Sequence, residues 1–167
     1  AGAGSGKTRM LTVRIAYLIE KCDIDPAAIL AVTFTNKAAR EMRERVRDLV
    51  SGAERVTLTT FHSFCCLLLR RWHKYAGFAD GFTIYDESDS EKLMKNVIKE
   101  MKSDSRRLTP KMVLECISQA KNELVGPEEY ESFAGASTSA MQIQKAYAVY
   151  QAQLMQNQAV DFDDLIF

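Results

Sequence analysis

A glycine-rich segment at the start of the sequence constrains this chain more than any other feature. Its eight residues are Ala1, Gly2, Ala3, Gly4, Ser5, Gly6, Lys7 and Thr8. Alternating glycines let the main chain curl tightly, so that successive N–H groups can point at one anion. The residues that follow, to about position 20, predict a helix whose positive N-terminal end would face the same anion. The segment therefore predicts a phosphate-binding loop.

The last two residues of this loop suit a nucleoside triphosphate and its magnesium ion. The side chain of Lys7 supplies a mobile positive charge for the β- and γ-phosphates, and the Thr8 hydroxyl can bind Mg²⁺. The loop opens with Ala1, a small residue, where the usual pattern has glycine. The alternative interpretation is a glycine-rich turn that only caps a helix. Because such a loop normally follows a buried strand, and residue 1 is not methionine, we expect the chain to be part of a larger protein.

The composition argues against some classes of protein. The chain of 167 residues carries 22 basic and 22 acidic side chains, so its net charge is zero. This balance argues against binding nucleic acid through bulk electrostatics, although it is compatible with a narrow basic channel. No apolar run approaches the roughly 20 residues of a membrane span, so we expect no membrane partner. The cysteines, which include no C-x-x-C pair, predict free, buried thiols in a reducing cytoplasm. They are Cys22, Cys65, Cys66 and Cys116.

Hydrophobic patterns predict an α/β fold in the first part of the chain. The continuous apolar run at residues 29–34 predicts a buried parallel strand, and residues 56–60 predict a second strand. Between them, Asn36 is expected to cap a helix that extends to about Val50. The order loop, helix, strand, helix, strand indicates a parallel sheet with right-handed crossovers.

Helical spacing dominates after residue 60, so the second half is predicted to be all-helical apart from a short extended piece at residues 82–85. The predicted helices are one at residues 61–75, one capped by Ser88 or Ser90, one opened by Pro110, a short one from Pro127, and a long one at residues 137–156. The helix opened by Pro110 is expected to bury Val113, Ile117, Ala120 and Leu124.

Polar and aromatic residues follow both predicted strands where each strand ends. The candidates for ligand contacts are Phe34, Asn36, Lys37, Thr60 and His62. Open parallel sheets bind ligands at the carboxyl edge, where hydroxyls suit phosphates and aromatic rings can stack on bases. The alternative is ordinary helix capping by Thr35, Asn36 and Thr60, with Phe34 and Phe61 in the core. The residues alone do not decide between these two interpretations.

Four ordered motifs are similar to those of one protein family. They are the glycine-rich loop, residues 31–46 (AVTFTNKAAREMRERV), residues 59–64 (TTFHSF) and residues 161–166 (DFDDLI). In this order and spacing they resemble the UvrD/PcrA/Rep-like superfamily-one DNA helicases over essentially the whole chain. The resemblance implies that residues 1–60 belong to an incomplete RecA-like ATP-binding subdomain. Residues 61–167 would form a mainly helical inserted subdomain whose last residues lead back to the ATPase subdomain. The implied fold class is α/β, a partial RecA-like P-loop NTPase sheet followed by an all-helical insertion.

The resemblance also implies roles for individual residues. The loop at residues 1–8 would bind ATP, with Lys7 stabilising charge in the hydrolysis transition state and Thr8 ligating Mg²⁺. The implied contacts with single-stranded DNA are Phe34, Asn36 and Lys37 in a first segment and Thr60 and His62 in a second.

The helical part resembles a subdomain that helps to hold duplex DNA ahead of a fork. Candidate phosphate contacts are Arg70, Arg71, Lys74 and Lys121, although a solvated helix face is the stronger interpretation for each. The acidic residues of the last motif are interpreted as the start of a helix, with a structural role. They are Asp161, Asp163 and Asp164.

The resemblance implies a cytoplasmic parent protein, an ATP-dependent helicase that translocates 3′ to 5′ on single-stranded DNA. It would act at single-strand/double-strand junctions in DNA repair or replication, with other repair or replication proteins as partners. The family's adenine-reading glutamine, acidic Mg²⁺ strand, arginine fingers and second RecA-like domain are not in this sequence, so the isolated chain is expected to be inactive. Two alternatives stay open. One is the helicase part of a recombination-type nuclease–helicase, and the other is a non-enzymatic partner- or DNA-binding module with a vestigial phosphate loop.

Overall fold

A computed structural model describes residues 6–101 and 108–167 of the chain. The chain divides into two compact units, a first unit of residues 1–64 and a second unit of residues 65–167. Within the described residues, no helix combines the length and the apolar character that a membrane span requires.

The first unit alternates helices and strands. Its elements are α1 (Lys7–Glu20), β1 (Leu30–Thr33), α2 (Asn36–Leu49), β2 (Thr57–Thr60) and the start of α3 (Phe61–Arg71). Strands β1 and β2 are parallel, with Leu30 opposite Thr57 and Thr33 opposite Thr60. The mixed α/β character and the parallel pairing expected from the sequence are confirmed.

An apolar stripe on each helix forms the core of the first unit. Ile15 of α1, Met42 and Val46 of α2 and Leu58 of β2 are all buried in one cluster. The cap of α2 differs from the expectation, because Thr35 and not Asn36 occupies that position. Its hydroxyl accepts a hydrogen bond of 3.1 Å from the N–H of Ala38, since the main chain at Thr35 is extended while residue 36 is already helical.

The second unit is built around three long helices. After α3 its elements are β3 (Thr83–Ile84), α4 (Glu87–Glu100), α5 (Pro110–Asn122), α6 (Tyr130–Ala134), α7 (Thr138–Gln156) and β4 (Ala159–Val160). Strands β3 and β4 form a parallel pair, with Thr83 opposite Ala159 and Ile84 opposite Val160. Strand β3 lies within the short extended piece expected at residues 82–85. The expectation that the rest of the second half is helical is wrong at β4, because a two-residue strand carries no recognisable alternation.

The helices α4, α5 and α7 bury the residues that helical spacing assigns to their inner faces. Val97, Val113, Ile117, Tyr147 and Leu154 are at most 1% exposed and belong to one core cluster.

Two expectations in the second unit and one about the thiols are wrong. Asp86, rather than Ser88 or Ser90, caps α4 by accepting a hydrogen bond from Asp89. Leu124 is exposed because α5 ends at Asn122. All four cysteines are free, but Cys22 is exposed.

Candidate functional site

The N-terminus of α1 is the described part of the glycine-rich loop. Residues 1–5 lie outside the described residues, so the phosphate contacts expected there stay predictions. Gly6 precedes the helix with a φ of 70°, a left-handed conformation that favours glycine. Because Gly6 has no side chain, it leaves the first N–H groups of α1 without a side-chain cap.

The charge and exposure of the first turn of α1 also suit an anion. The turn contains Lys7 and Arg9 and no acidic residue, and Thr8 is partly exposed. Free N–H groups and positive charge at a helix N-terminus stabilise phosphate. The described start of α1 therefore suits an anion such as a phosphate group.

Two aromatic rings lie side by side at the carboxyl edge of the β1–β2 sheet. Because Thr33 is opposite Thr60 in parallel strands, the next residues, Phe34 and Phe61, leave the sheet at the same edge. Their ring centroids are 5.8 Å apart, with the rings tilted by 47°. Phe34 is 91% exposed and Phe61 is 43% exposed. The interpretation that both rings belong to the core is therefore wrong.

Helix α2 starts at this edge and is tied to the sheet. The Arg43 guanidinium donates a hydrogen bond to the main-chain carbonyl of Leu58 on β2. Asn36 and Lys37, in the first turn of α2, are both exposed. The Lys37 ammonium lies 4.0 Å from a Glu41 carboxylate oxygen, and its side chain is 79% exposed. An ion pair this exposed is weak, so the lysine can exchange it for another anion.

Thr60 and His62 differ in their accessibility at the same edge. His62 is exposed in the first turn of α3. Thr60 is buried, and its hydroxyl accepts a hydrogen bond from the N–H of Ser63 and donates one of 2.9 Å to the Ser63 hydroxyl. This hydroxyl therefore caps α3, as the capping alternative expected. A DNA contact at Thr60 stays a prediction and would have to use atoms other than this hydroxyl.

Lys121 does not lie on a solvated surface, so its candidate role as a phosphate contact is wrong. Its ammonium group lies 2.8 Å from Oδ2 of Asp161 and 2.7 Å from Oδ1 of Asp164, and its side chain is 1% exposed. The rings of Tyr147 and Tyr150 lie 5.9 Å and 5.6 Å from the same ammonium group. A buried lysine with two carboxylates has no free charge for DNA.

Every oxygen of the two carboxylates in this cluster has a partner. Tyr150 donates to Oδ2 of Asp161, and Gln151 donates to Oδ1 of Asp164. The remaining oxygens accept main-chain N–H groups, reciprocally between Asp161 and Asp164 at 2.8 and 3.0 Å. Burial raises the pKa of the Asp164 carboxyl above its usual value, and the Lys121 ammonium acts in the opposite direction. The structural role expected for these aspartates agrees with this network.

Comparison with known protein families places these features in one family. The model of the UvrD/REP helicase N-terminal domain matches residues 1–167. The chain therefore belongs to the UvrD/REP helicase N-terminal domain family.

Individual relatives agree with this assignment. The chain is 47% identical to the ATP-dependent DNA helicase PcrA of Bacillus subtilis (strain 168), over 99% of the chain and 22% of that relative. It is 48% identical to the proteins of the same name from Staphylococcus aureus (strain Mu50) and Staphylococcus epidermidis, over 99% of the chain and 23% of each relative. The chain thus spans less than a quarter of the length of the curated relatives it matches.

Proposed function

We propose that the chain is the N-terminal part of an ATP-dependent DNA helicase that translocates 3′ to 5′ on single-stranded DNA. The observation that carries the proposal is the exposed pair of Phe34 and Phe61 at the carboxyl edge of a parallel sheet. Apart from its contact with Phe61, the Phe34 ring is 91% exposed and adds little to packing, whereas stacking on an unpaired base would cover it. The name of the relatives, ATP-dependent DNA helicase PcrA, supports the same function.

The glycine-rich loop would hold the phosphates of ATP. Main-chain N–H groups at residues 2–6 and at the start of α1 would surround the phosphates, with Lys7 on the β- and γ-phosphates and Thr8 on Mg²⁺. Magnesium supplies positive charge that neutralises the phosphate oxygens during phosphoryl transfer. Lys7 adds charge at the same oxygens, which is why we assign it a catalytic role.

The sheet edge would hold the unpaired strand. Phe34 and Phe61 would stack on bases, and each stacked base contributes about 1–3 kcal/mol without depending on its identity. Asn36, Lys37 and His62 would contact the sugar–phosphate backbone, which positions the strand without reading its sequence. Because α1, β1 and β2 all belong to the first unit, the nucleotide and DNA sites would lie in the same unit.

The second unit would face the junction between single-stranded and double-stranded DNA. Arg70, Arg71 and Lys74 are exposed at and just after the end of α3, where they could contact duplex phosphates. A helicase that acts at such junctions would serve DNA repair or replication. It would act in the cytoplasm, with other repair or replication proteins as partners.

An unwinding assay on the complete protein tests this proposal. Duplexes with a 3′ or a 5′ single-stranded tail are incubated with the protein, ATP and Mg²⁺. Strand separation from the 3′-tailed duplex only, and its loss in a Lys7→Ala variant, is the expected result. Unwinding from the 5′ tail alone would overturn the polarity, and no ATP-dependent unwinding of either substrate would overturn the helicase function.

A further inference from the structure

A run of basic and aromatic residues at the end of α3 is not used by the sheet-edge site. Residues 70–75 read Arg-Arg-Trp-His-Lys-Tyr, with three permanent positive charges, one histidine and no acidic residue. This local excess stands out in a chain whose net charge is zero. Trp72 is 49% exposed and Tyr75 is 92% exposed. Alternating cations and exposed rings are typical of surfaces that bind single-stranded nucleic acid.

The two rings border a groove in the second unit, which we call the α3 groove. Its volume is about 440 Å³, within the roughly 300–1,000 Å³ of small-ligand sites. Its walls include Leu68, Leu69, Trp72, Tyr75, Leu165 and Phe167. Asp164 also lines the groove, but its carboxylate is paired with Lys121. The groove therefore has an apolar wall, two aromatic rings and no uncompensated negative charge.

Cations lie beside this groove. The Arg71 guanidinium is 5.9 Å from the centre of the Trp72 ring, so it lies next to the groove wall. Lys74 is exposed in the turn that follows, between Trp72 and Tyr75 in the sequence. Arg70 is held over the Phe82 ring at 5.0 Å. A phosphate chain crossing the groove would meet Arg71 and Lys74 while its base covers the rings.

We propose that the α3 groove binds an unpaired nucleotide of DNA, with Trp72 and Tyr75 stacking on the base and Arg71 and Lys74 contacting the flanking phosphates. The inference rests on the proposed function, because it takes DNA as the ligand. It adds a second contact besides the sheet edge, and it replaces duplex phosphates with those of an unpaired strand as the partners of Arg71 and Lys74. The occupant is unpaired because both faces of a base are covered by stacking inside a duplex, whereas Tyr75 offers a whole exposed face. Charge complementarity selects DNA over an apolar peptide segment.

Trp72 is the only tryptophan in the sequence, so its fluorescence reports on this groove alone. We would titrate the 167-residue chain with unlabelled oligo(dT) and, separately, with an abasic oligonucleotide of the same length. Oligo(dT) should quench Trp72 emission to saturation, and the abasic strand should not, since stacking requires a base. Anisotropy of a labelled oligo(dT) measures total binding in parallel.

Substitutions of Tyr75 test the groove without destabilising the fold, because this side chain is almost fully exposed. Tyr75→Ala should weaken the quenching titration about tenfold, and Tyr75→Phe, which keeps the ring, should leave it unchanged. Arg71→Ala together with Lys74→Ala should weaken it and reduce its dependence on salt concentration. Unchanged Trp72 emission at DNA concentrations that saturate the anisotropy, or up to the highest concentration tested, would overturn the proposal. Equal quenching by the abasic strand would also overturn it.

The variant Phe34→Ala separates this inference from the proposed function. One outcome is that Phe34→Ala weakens the DNA binding measured by anisotropy while DNA leaves the Trp72 emission of the original chain unchanged. In that case the sheet-edge site is supported and the groove proposal fails. If Trp72 is quenched by oligo(dT) but not by the abasic strand, and Phe34→Ala has no effect, the groove proposal stands and the sheet-edge assignment fails.

Discussion

The Nζ atom of Lys121 lies 2.8 Å from Oδ2 of Asp161, and both side chains are nearly closed to solvent. Through this pair, α5 holds the segment that follows β4, with Tyr150 of α7 donating to the same carboxylate oxygen. Breaking a buried ion pair by removing one partner is costly, because the other charge stays buried without compensation. The pair is therefore a sensitive point for the stability of the second unit.

Replacing Lys121 with methionine should lower the free energy of unfolding by about 3–5 kcal/mol, because it leaves Asp161 and Asp164 buried without their cation. Urea denaturation followed by Trp72 fluorescence and circular dichroism measures this change. Lys92→Met is the matched control, since the Lys92–Asp89 pair is exposed and should contribute less than about 1 kcal/mol. Equal effects of the two substitutions would contradict the buried network.

Stability should fall at alkaline pH because of three buried tyrosines. Burial raises the pKa of Tyr130 to about 12, and it also raises the pKa values of Tyr147 and Tyr150. The ordinary tyrosine pKa is 10.0, so in the unfolded chain these groups lose their protons at lower pH than in the folded chain. The folded state then binds more protons, and the free energy of unfolding decreases as pH rises above about 10.

Tyr150→Phe should make this alkaline decrease shallower, because one group with a raised pKa is removed. The same change should lower stability at neutral pH by about 1–3 kcal/mol, since the Asp161 oxygen loses a buried donor. Urea titrations between pH 8 and 11 measure both effects. Identical slopes for the variant and the original chain above pH 10 would show that Tyr150 ionises equally in the folded and unfolded states.

The start of α4 should depend on Asp86. Asp86→Ala removes the side-chain acceptor for the Asp89 N–H, a bond of 2.9 Å, and should cost about 1 kcal/mol. Ser88→Ala, inside the first turn and exposed, should change stability by less than about 0.5 kcal/mol. Thermal unfolding of both variants compares them directly. A larger loss of stability for Ser88→Ala than for Asp86→Ala would indicate that Ser88, and not Asp86, caps α4.

Phe34→Ala should separate DNA binding from stability. Because the ring is 91% exposed, its removal should change the free energy of unfolding by less than about 0.5 kcal/mol. The affinity of the Phe34→Ala variant for oligo(dT) should fall about tenfold, since stacking on one base is lost. Phe82→Ala, at a ring that is 3% exposed, should instead cost about 3–5 kcal/mol of stability. Unchanged DNA affinity in Phe34→Ala would contradict the stacking role.

The sequence predicts the long elements well because their apolar spacing extends over several turns. Val113 and Ile117 on α5 follow the expected period and are buried. The runs at residues 29–34 and 56–60 form β1 and β2 as expected, although Leu30 at the start of β1 is exposed rather than buried. The pairing of β3 with β4 was not predictable in this way, because two residues are too few to show an alternation. Strand pairing of this kind is decided by tertiary contacts.

Local geometry accounts for the remaining errors. Lys121 follows Ile117 by four residues and therefore lies on the buried face of α5, a spacing that could have indicated its burial. Leu124 falls just past the end of α5 with a φ of 57°, so helical spacing no longer applies to it. At the sheet edge, the sequence identified Phe34 and Phe61 as neighbours of the strand ends but could not decide whether they point inward. The parallel register of β1 and β2 brings both residues to one edge of the sheet, and the structure leaves both rings exposed there.

The most direct test of the account measures ATP hydrolysis by the complete protein with and without single-stranded DNA. We predict a rate that rises severalfold on adding oligo(dT), and that falls to background in Lys7→Ala while the fold, monitored by circular dichroism, is unchanged. A rate that does not respond to DNA, or that survives the loss of Lys7, would contradict the assignment of this chain to the motor of a DNA helicase.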